Sequence, residues 1–524
     1  MKDQATKLRL GIDVGGTNTD GVLVDHTGKV IASTKASTTP DPFDGIGKAI
    51  SELLAGQDGA QVERAMLGTT HPANAIIQRR DLDRVAVARL AAPSSLAIRV
   101  GAAWPQDLLE TVLGPTSIIE GGNEYTGAEI APLDEDAVRQ LARQAVEAGS
   151  AAIAISAAFS PASPEHETRA GEIVRDEVGD ALAVSLSHQV GALGLLEREN
   201  ASVLNAALLS VSSAVVTGFE RALSTNGLGH ASTFLTKNDG TLMTAAEARR
   251  LPVLTLGSGP TNSMRGACAL AGLQDAIVID VGGTSADAGI LVNGFPREST
   301  EPVEVGGVRT NFRMPDLISI GLGGGTIVRG EGGDVTVGPD SVGYRVTADS
   351  LVAGGSTLTL SDVSTAAGRL SGFGDRANVE DLSADTVDAA IAWVDEQVSI
   401  LADRLKSSND AVPLIAVGGG AHLVAPSVPG ISEVIRPNHH DVANAYGASI
   451  AEASGSVDLV YSYDDGGRES CLEDAKNKAI EKAVAAGAES DNSRITSVVE
   501  VPMSYVPGGG CRVIVKAVGP VREN

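Results

Sequence analysis

Hydrophobic and polar positions along residues 8–35 fall into three short runs, each the length of a β-strand. The runs read LRLGIDV, GVLVD and KVIASTK, and an Asp/Gly turn, DHTG, joins the last two as in a hairpin. A helix is predicted from about Phe43 to Leu54. Strands are then expected at ERAMLG and RVAVARL, with a helix at THPANAIIQRR, where Pro72 suits the first turn.

From Asp134 to Leu186 helical and strand patterns alternate more regularly, which predicts α/β layers. The apolar helical region at residues 193–224 is expected to join two lobes. A further helix is predicted at residues 383–407. The tail from about residue 457 carries strand, helix and strand signals, and we expect a small α+β appendage there.

Length and charge narrow the class of protein. The 524 residues are too many for one core and predict two to four domains. With 40 basic and 66 acidic residues the formal charge is −26, which argues against nucleic acid or an anionic membrane as the main partner. A small phosphorylated ligand stays compatible with this charge, because backbone N–H groups and a metal ion can bind phosphate.

Cysteine usage and the N-terminus indicate the compartment. The three cysteines are far apart and show neither a CxxC pair nor a zinc-ligand spacing. The first residues lack the apolar core of a secretion signal, and no apolar run reaches membrane-spanning length. We therefore expect a cytoplasmic protein with no membrane partner.

One motif occurs twice, more than 260 residues apart. Residues 11–20 read GIDVGGTNTD and residues 278–287 read VIDVGGTSAD. Both copies share Ile-Asp-Val-Gly-Gly-Thr, and both place a second Asp seven residues after the first: Asp13 and Asp20, then Asp280 and Asp287. The repeat predicts a duplicated lobe.

A glycine pair between two strands is by itself no more than a tight hairpin. Here each turn follows an Asp at the end of an apolar strand, where a carboxylate is costly unless it is paired or bound to a cation. Each turn also carries a hydroxyl, on Thr17 and on Thr284. Backbone N–H groups at such turns bind anions, and two carboxylates can hold Mg²⁺ through its waters, so we interpret the pair as a phosphate site between two lobes.

Other nucleotide motifs are missing from the sequence. There is no GxxxxGK[ST] and no GxGxxG between a strand and a helix. A third glycine turn, VGGGAH at residues 417–422, follows a predicted strand, and a fourth, IGLGGGTIV, spans residues 320–328. Either is a simple turn or a place where a purine ring approaches the backbone.

The doubled turn and the late GGG resemble the actin, heat-shock chaperone and sugar-kinase superfamily of ATP-binding proteins. More narrowly, the chain resembles the short form of the hydantoinase/oxoprolinase family over roughly residues 8–455. The motifs that carry the resemblance come in the family's order: GIDVGGTNTDGVLVD, GTTHPANAIIQR, FSPASPEHE, LSHQVGALGLLERENASVLNAAL, VIDVGGTSADAGIL, ISIGLGGGTIVRG with VGPDS, and LSDVSTAAGRL.

The resemblance implies a two-lobed, actin-like (ribonuclease H-like) α/β fold with duplicated lobes. The expected units are an N-terminal lobe at residues 1–190, a second lobe at 191–456 and a tail at 457–524. The implied activity is ATP- and Mg²⁺-dependent ring opening of a cyclic amide, such as a hydantoin, 5-oxoproline or a related lactam. Some relatives are carboxylases that activate their substrates in the same way.

The resemblance also assigns roles by position. Asp13 and Asp280 match the catalytic carboxylates near Mg²⁺. The residues that match nucleotide-binding positions are Gly15, Gly16, Thr17 and Asn18 in the first turn, Gly282, Gly283 and Thr284 in the second, and Gly418, Gly419 and Gly420 on the adenosine side.

The sequence also departs from the longer relatives. They carry PGP-x-C-Y-G, whereas GPDSVGYRVTADSLVAGG here has no such Cys, and their longer C-terminal region is replaced by residues 457–524. This suggests the ATP-using half of an enzyme that works with a second hydrolase subunit, as a homo-oligomer, or both.

The histidines are candidates for a general base or a metal ligand. His71 in GTTHPAN is the strongest, because two threonines cluster beside it at a helix start; His188 and His422 each follow a strand. No HExxH or HxH pair occurs. For each of them, a histidine hydrogen-bonded to the backbone is the alternative.

Three other functions remain open at this point. A small-molecule kinase of the same superfamily is one, although no Asp in a kinase-like context stands out. The others are a nucleotide-dependent regulator of a partner protein and a degenerate relative that binds nothing.

Overall fold

Two sheets, each built on one copy of the repeated hairpin, organise the chain in the computed structural model, which describes residues 7–15, 18–37, 42–299, 302–503 and 510–522. The first sheet runs in the spatial order Arg494–Pro502, Gly510–Gly519, Ala453–Ser462, Leu242–Thr244, Ser232–Thr236, Val62–Thr69, Leu8–Val14, Asn18–Asp25 and Val30–Ser37. The second sheet runs Phe295–Pro296, Ala286–Val292, Ala276–Val281, Val412–Val417 and Ile431–Ile435, with Leu317–Ile320 paired to Ala286–Val292.

A smaller, fully parallel sheet, called here the inserted sheet, lies between two stretches of the first sheet in chain order. Its spatial order is Leu113–Glu120, Val85–Ala92, Ala152–Ala157 and Ala183–Leu186. Two hairpins complete the strands: Val303–Val305 with Val308–Thr310, and Thr326–Glu331 with Asp334–Ser341.

Helices connect and cover these sheets. The α-helices are Pro42–Leu53, His71–Gln78, Gln106–Val112, Glu135–Glu147, Glu165–Val178, Leu195–Ala207, Leu209–Thr225, Ala245–Arg250, Ser258–Ala271, Val346–Asp349, Leu360–Ala366, Ala384–Leu405, Ala443–Ser449, Tyr463–Gly466 and Arg468–Ala485. Most helices and strands predicted from the sequence pattern are present, including the three N-terminal strands and the long helix near residues 383–407.

The predicted duplication is confirmed strand by strand. In the first sheet Asp13 lies directly opposite Asp20, and in the second sheet Asp280 lies directly opposite Asp287. A parallel strand flanks the Asp-bearing strand in each sheet, Val62–Thr69 in the first and Val412–Val417 in the second. The two copies of the motif therefore build the same three-strand unit.

Two helices join the sheets by crossing at a pair of glycines. Ser258–Ala271 packs on the second sheet through Met264 and Cys268, and Ala443–Ser449 packs on the first sheet through Ala445 and Tyr446. Where they cross, a Cβ added to Gly447 would lie 2.9 Å from the backbone N of Gly266 and closer still to the Asn262 carbonyl oxygen. Only glycine lets the two backbones approach this closely.

The apolar region predicted to join two lobes forms two helices bent by 48°, Leu195–Ala207 and Leu209–Thr225, whose apolar side chains are buried. Within the described ranges no single helix has the length and apolar character to cross a membrane, and this bent pair meets that test only jointly. The buried Arg89 and Glu199 tie Leu195–Ala207 to the inserted sheet, with Arg89 Nε 2.7 Å from Glu199 Oε2.

The C-terminal appendage has the predicted α+β composition, and its strands extend the first sheet. Leu242 pairs with Ala453, and the strands Gly510–Gly519 and Arg494–Pro502 follow outward, with helix Arg468–Ala485 packed on one face. The divisions at residues 190 and 456 stay predictions of domain boundaries. Strands from both sides of each division belong to the first sheet.

We expect Gly447→Ala to lower the free energy of unfolding by about 2 kcal/mol or more, because its methyl group would overlap the backbone of helix Ser258–Ala271. Gly47→Ala is the matched control, because Gly47 lies in helix Pro42–Leu53 with nothing within 4 Å of an added Cβ, and it should stabilise the protein slightly. Urea denaturation measures both. Equal midpoints for Gly447→Ala and the wild type would contradict the proposed backbone contact.

Candidate functional site

A cavity of about 700 Å³ lies between the first and second sheets and is open to solvent. Its size is that of a site for a ligand of nucleotide dimensions. The lining comes from both glycine turns, the two crossing helices and the third glycine turn, and it comprises Asp13, Gly15, Asn18, Asp20, Lys35, Thr70, Gly259, Pro260, Ser263, Asp280, Gly282, Gly283, Thr284, Ser285, Asp287, Gly324, Gly343, Tyr344, Val346, Thr347, Ser361, Leu370, Phe373, Gly418, Gly419, Gly420, His422, His440, Asp441, Ala443 and Asn444.

The second glycine turn, residues 282–285, presents free backbone donors to this cavity. The carbonyls of Gly282 and Gly283 point away from it, since they accept hydrogen bonds from Gly324 N at 3.0 Å and Gly325 N at 2.7 Å. In a trans peptide the N–H points opposite to the carbonyl, so the N–H groups of Gly283 and Thr284 face the cavity. Neither has an acceptor among the described residues. Two adjacent N–H groups that point the same way have the geometry required to bind an anion.

The fourth glycine turn fixes that orientation from behind. A Cβ added to Gly323 would lie 2.6 Å from both Gly283 C and Thr284 N, so the two turns touch backbone to backbone. Ser341 Oγ adds a further donor to the Gly283 carbonyl at 3.3 Å. The glycines of IGLGGGTIV therefore support the second turn, and within this segment only Gly324 lines the cavity.

The first glycine turn closes with the same hydrogen bond as the second. Gly15 N donates to Asn18 O at 2.9 Å, and Gly282 N donates to Ser285 O at 2.9 Å. Gly15 and Asn18 both line the cavity. Gly16 and Thr17, which the sequence assigns to phosphate binding, lie outside the described residues, so their assignment stays a prediction.

Asp13 is a buried carboxylate held by two amides. Its side chain accepts from Asn262 Nδ2 at 3.3 Å and Asn444 Nδ2 at 3.1 Å, one from each crossing helix, and the residue is 3% exposed. Burial raises the pKa of Asp13 to about 7, and the nearby Asp20 carboxylate adds to the rise. A carboxyl that binds a proton near neutral pH at a cavity wall is suited to proton transfer.

Asp20 sits beside Asp13 with partners of its own. Asn444 Nδ2 also donates to Asp20 Oδ2 at 2.8 Å, and Lys35 Nζ lies 2.8 Å from Asp20 Oδ1. The amide orientation of Asn444 is fixed, since its Oδ1 accepts from Ala445 N at 2.8 Å. Asn444 thus bridges the two carboxylates.

The second sheet carries the corresponding carboxylates with hydroxyl partners. Ser263 donates to Asp280, and Ser319 Oγ donates to Asp287. Burial raises the pKa of Asp280 to about 6 and also raises the pKa of Asp287. Neither carboxylate forms an ion pair with a Lys or Arg among the described residues, although the charge of Lys35 on the first sheet partly offsets the rise in the pKa of Asp280.

A glycine on the flanking parallel strand makes room for each inner carboxylate. Gly68 lies opposite Asp13, and a Cβ there would overlap Asp13 Oδ1. Gly418, at the end of the flanking strand of the second sheet, would overlap Asp280 Oδ1 in the same way, and its φ is +84°. The symmetric glycines indicate that both carboxylates are constrained in place by the backbone.

The third glycine turn, residues 418–420, forms the far wall of the cavity. Gly420 N donates to Val281 O at 2.7 Å, while Gly419 is exposed to the cavity. An apolar wall of Tyr344, Leu370 and Phe373 lies in the same lining, in a chain with only 3% aromatic residues.

The histidines divide into two groups. His422 lines the cavity, and burial lowers its pKa to about 4, so it is neutral at pH 7. His71 begins helix His71–Gln78 and does not line the cavity, although its neighbour Thr70 does. His188 belongs to the inserted sheet region, where its Nδ1 lies 2.7 Å from the buried Glu167. A catalytic role for His71 stays a prediction.

The carboxylates of the cavity fit a metal ion that keeps several waters better than one bound only by protein ligands. No group of three or more His, Cys, Asp or Glu in the described parts of the chain is arranged to hold a metal ion directly. Mg²⁺ usually keeps several waters and needs one or two carboxylates together with phosphate oxygens. Asp280 and Asp287, beside the two N–H groups of the second glycine turn, satisfy that requirement.

Sequence reasoning missed Gly68, Asn262, Lys35 and Asn444. Each reaches the site only through the three-dimensional register of distant segments: Lys35 lies opposite Asp20 across the strand pair, and Asn262 and Asn444 come from the crossing helices. Gly68 alone had a local signal, a glycine followed by two threonines at the end of a predicted strand.

Comparison with protein families finds matches over most of the chain. Residues 9–178 match the model described as the hydantoinase/oxoprolinase N-terminal region, and residues 198–373 match the one described as hydantoinase/oxoprolinase. Similar proteins include caprolactamase subunit alpha of Pseudomonas jessenii, 27% identical over 70% of this chain and 55% of the relative. Another is the acetone carboxylase beta subunit of Xanthobacter autotrophicus, 26% identical over 67% and 53%. The chain spans about half the length of these curated relatives.

Solved structures show the same fold. The ATP-dependent caprolactamase from Pseudomonas jessenii superposes with a TM-score of 0.77 at 22% identity, covering 98% of this chain and 89% of the other. A nucleotide-free acetone carboxylase superposes with a TM-score of 0.68 at 21% identity, covering 98% and 88%. At these identities the likeness concerns the fold, and it confirms the predicted two-lobed, actin-like α/β architecture.

We expect Gly323→Ala to weaken Mg·ATP binding by about tenfold or more, because the added methyl would displace the backbone at Gly283 and Thr284. Gly321→Ala is the matched control, since nothing lies within 4 Å of a Cβ at Gly321. Calorimetric titration compares the two variants. Equal affinities would show that the fourth turn does not support an anion site.

Asp13→Asn should stabilise the ligand-free protein at pH 8. The pKa of Asp13 rises from 3.8 to about 7 on folding, so its contribution to stability falls as pH rises between those values. Removing the charge should add about 1 kcal/mol or more to the free energy of unfolding at pH 8, with little gain below pH 4. Asp25→Asn is the control. Hydrogen bonds from Thr27 lower the pKa of Asp25, so removing this charge should decrease the free energy of unfolding at pH 8. Urea denaturation at each pH measures the free energy of unfolding. If Asp13→Asn changed it equally at both pH values, the raised pKa of Asp13 would be contradicted.

Proposed function

Because the chain belongs to the hydantoinase/oxoprolinase family, we propose that it uses ATP to open a cyclic amide, such as a hydantoin, 5-oxoproline or a related lactam. It does so alone or as the ATP-binding subunit of a larger enzyme. The observation that carries the proposal is the pair of Asp-anchored glycine turns, one from each sheet, that border one cavity.

Binding of the nucleotide follows from the shape of the cavity. The Gly283 and Thr284 N–H groups receive phosphate oxygens, since they face the cavity without other acceptors among the described residues. The adenine ring lies against Tyr344, Leu370 and Phe373 on one side and the third glycine turn on the other. The phosphates then extend toward the first glycine turn.

The four carboxylates divide into a metal side and a proton side. Asp280 and Asp287 are the residues that would hold a hydrated Mg²⁺, and the ion would neutralise phosphate charge. Asp13, whose pKa lies near 7, takes up the amide N–H proton that is lost when the carbonyl oxygen attacks the terminal phosphorus. Asn262 and Asn444 keep its carboxyl group aimed at the cavity edge.

The amide carbonyl oxygen attacks the terminal phosphorus of ATP and ADP leaves. Water then adds to the activated carbonyl carbon, the ring C–N bond breaks and phosphate is released. The amide substrate would lie beside the terminal phosphate, where Thr70 and Asn18 line the cavity with polar groups. Side chains that donate and accept hydrogen bonds at this end can bind the amide group of the ring.

A partner polypeptide is part of the proposal. Similar proteins are named as subunits, of caprolactamase, acetophenone carboxylase and acetone carboxylase, and the chain spans about half of their length. We propose that a second subunit, with or without a further copy of this chain, completes the hydrolytic half of the reaction. Location in the cytoplasm stays a prediction.

The test is ATP turnover measured as phosphate release across hydantoin, 5-oxoproline and caprolactam, with and without a co-expressed second subunit. We expect one of these ring classes to stimulate turnover, with the open-chain product seen by mass spectrometry. Asp280→Asn should lower the stimulated rate by at least about tenfold. Asp275→Asn, at the other end of the same strand, is the matched control and should not change it.

The remaining outcomes separate the alternatives. A stable phosphorylated product would identify a small-molecule kinase, and a carboxylated product formed only with bicarbonate would identify a carboxylase. Stimulation by a protein and by no small molecule would identify a regulator. No nucleotide binding by the wild type, with any partner present, would show that the glycine turns serve only the fold.

A further inference from the structure

Most charged residues that line the cavity are negative. Five aspartates, Asp13, Asp20, Asp280, Asp287 and Asp441, contribute to the lining. Among the described residues that line the cavity, Lys35 is the only lysine or arginine. A nucleoside triphosphate brings three or four further negative charges into the same volume. The ammonium group of Lys35 is then the one lining side chain with a positive charge that can attract them, among the described residues.

Lys35 is held in place at the first sheet. It lies on the edge strand Val30–Ser37, directly opposite Asp20 in the register. Its Nζ is 2.8 Å from Asp20 Oδ1 and donates to the Asp441 carbonyl oxygen at 2.9 Å. Asp20 is itself fixed by Asn444, which also holds Asp13. The ammonium is therefore positioned by a chain of contacts that reaches the buried carboxylate.

One donor of this ammonium remains available. A lysine ammonium carries three N–H donors, and two of them have acceptors within the described residues. The side chain is 33% exposed, and Lys35 belongs to the cavity lining, so the third N–H has access to the cavity. This donor comes from the first sheet. Tyr344, Leu370 and Phe373 come from residues 343–373, a segment that packs on the second sheet through Leu360 and Val363.

We propose that Lys35 binds the terminal phosphate of the nucleoside triphosphate, so that the first sheet distinguishes a triphosphate from a diphosphate. This inference rests on the proposed function, because it needs a nucleotide whose base lies at the apolar wall. From that wall the polyphosphate passes the second glycine turn and ends at the first sheet. Only the last phosphate reaches Lys35, and the inner phosphates depend on the second turn.

The test compares a non-hydrolysable ATP analogue with ADP, each as its Mg²⁺ complex, by calorimetry. Lys35→Met should weaken binding of the triphosphate analogue by about tenfold or more, the value of a lost charge-assisted hydrogen bond, and change ADP affinity by less than about threefold. Lys29→Met is the matched control, since Lys29 is exposed at the turn before the same strand and is not part of the lining. Thermal denaturation confirms that each variant is folded.

A second variant separates direct binding from neutralisation of Asp20. In Lys35→Met with Asp20→Asn the cation and its counter-charge are both removed, so the net charge of the cavity is restored. Continued loss of triphosphate affinity in this double variant supports direct contact with phosphate. Recovery of triphosphate affinity would overturn the proposal, because Lys35 would then act only through Asp20.

Failure of this inference is distinct from failure of the proposed function. If Lys35→Met binds the triphosphate analogue as tightly as the wild type does, the Lys35 contact is wrong and the nucleotide site stands. If the wild type binds neither nucleotide, the proposed function and the inference both fall.

Discussion

The close approach of two helix backbones at Gly266 and Gly447 is the constraint on which the site depends. The helix that packs on the first sheet and the helix that packs on the second meet there without intervening side chains. Their separation sets the distance between the two sheets, and hence the width of the cavity. Because Asn262 and Asn444 lie within one turn of the crossing, the same contact places both amides on Asp13.

The carboxylates illustrate how the fold maintains a costly arrangement. Two pairs of aspartates face one another across the two hairpins, and burial in the protein raises the pKa values of Asp13 and Asp280. Glycines at 68 and 418 leave the carboxylates just enough space, and the surrounding strands are almost fully buried. Packing of the sheets offsets the unfavourable free energy of burying these carboxylates, as is typical of sites that bind a charged ligand.

Sequence alone was sufficient for features carried by short, contiguous patterns. The duplicated hairpin, the strands on either side of it and the α+β tail all follow from local motifs. The origin of the first sheet in three separate stretches, the inserted sheet and the bridge from Asn444 to two aspartates do not, since each depends on pairing between segments hundreds of residues apart. At His71 a local pattern was not sufficient: the sequence cluster of two threonines and a histidine brings Thr70, and not the histidine, to the cavity.

The discontinuous first sheet has a consequence for folding during synthesis. The N-terminal hairpin and Val62–Thr69 are synthesised before the inserted sheet, their neighbour Ser232–Thr236 is synthesised after it, and the outer strands follow only from Ala453 onward. The inserted sheet and the second sheet are each made from one continuous stretch and can form while translation proceeds. In this order the first sheet closes after the other two, so its apolar strands depend longest on protection from aggregation, and before Ala453 is synthesised the cavity has only one finished wall.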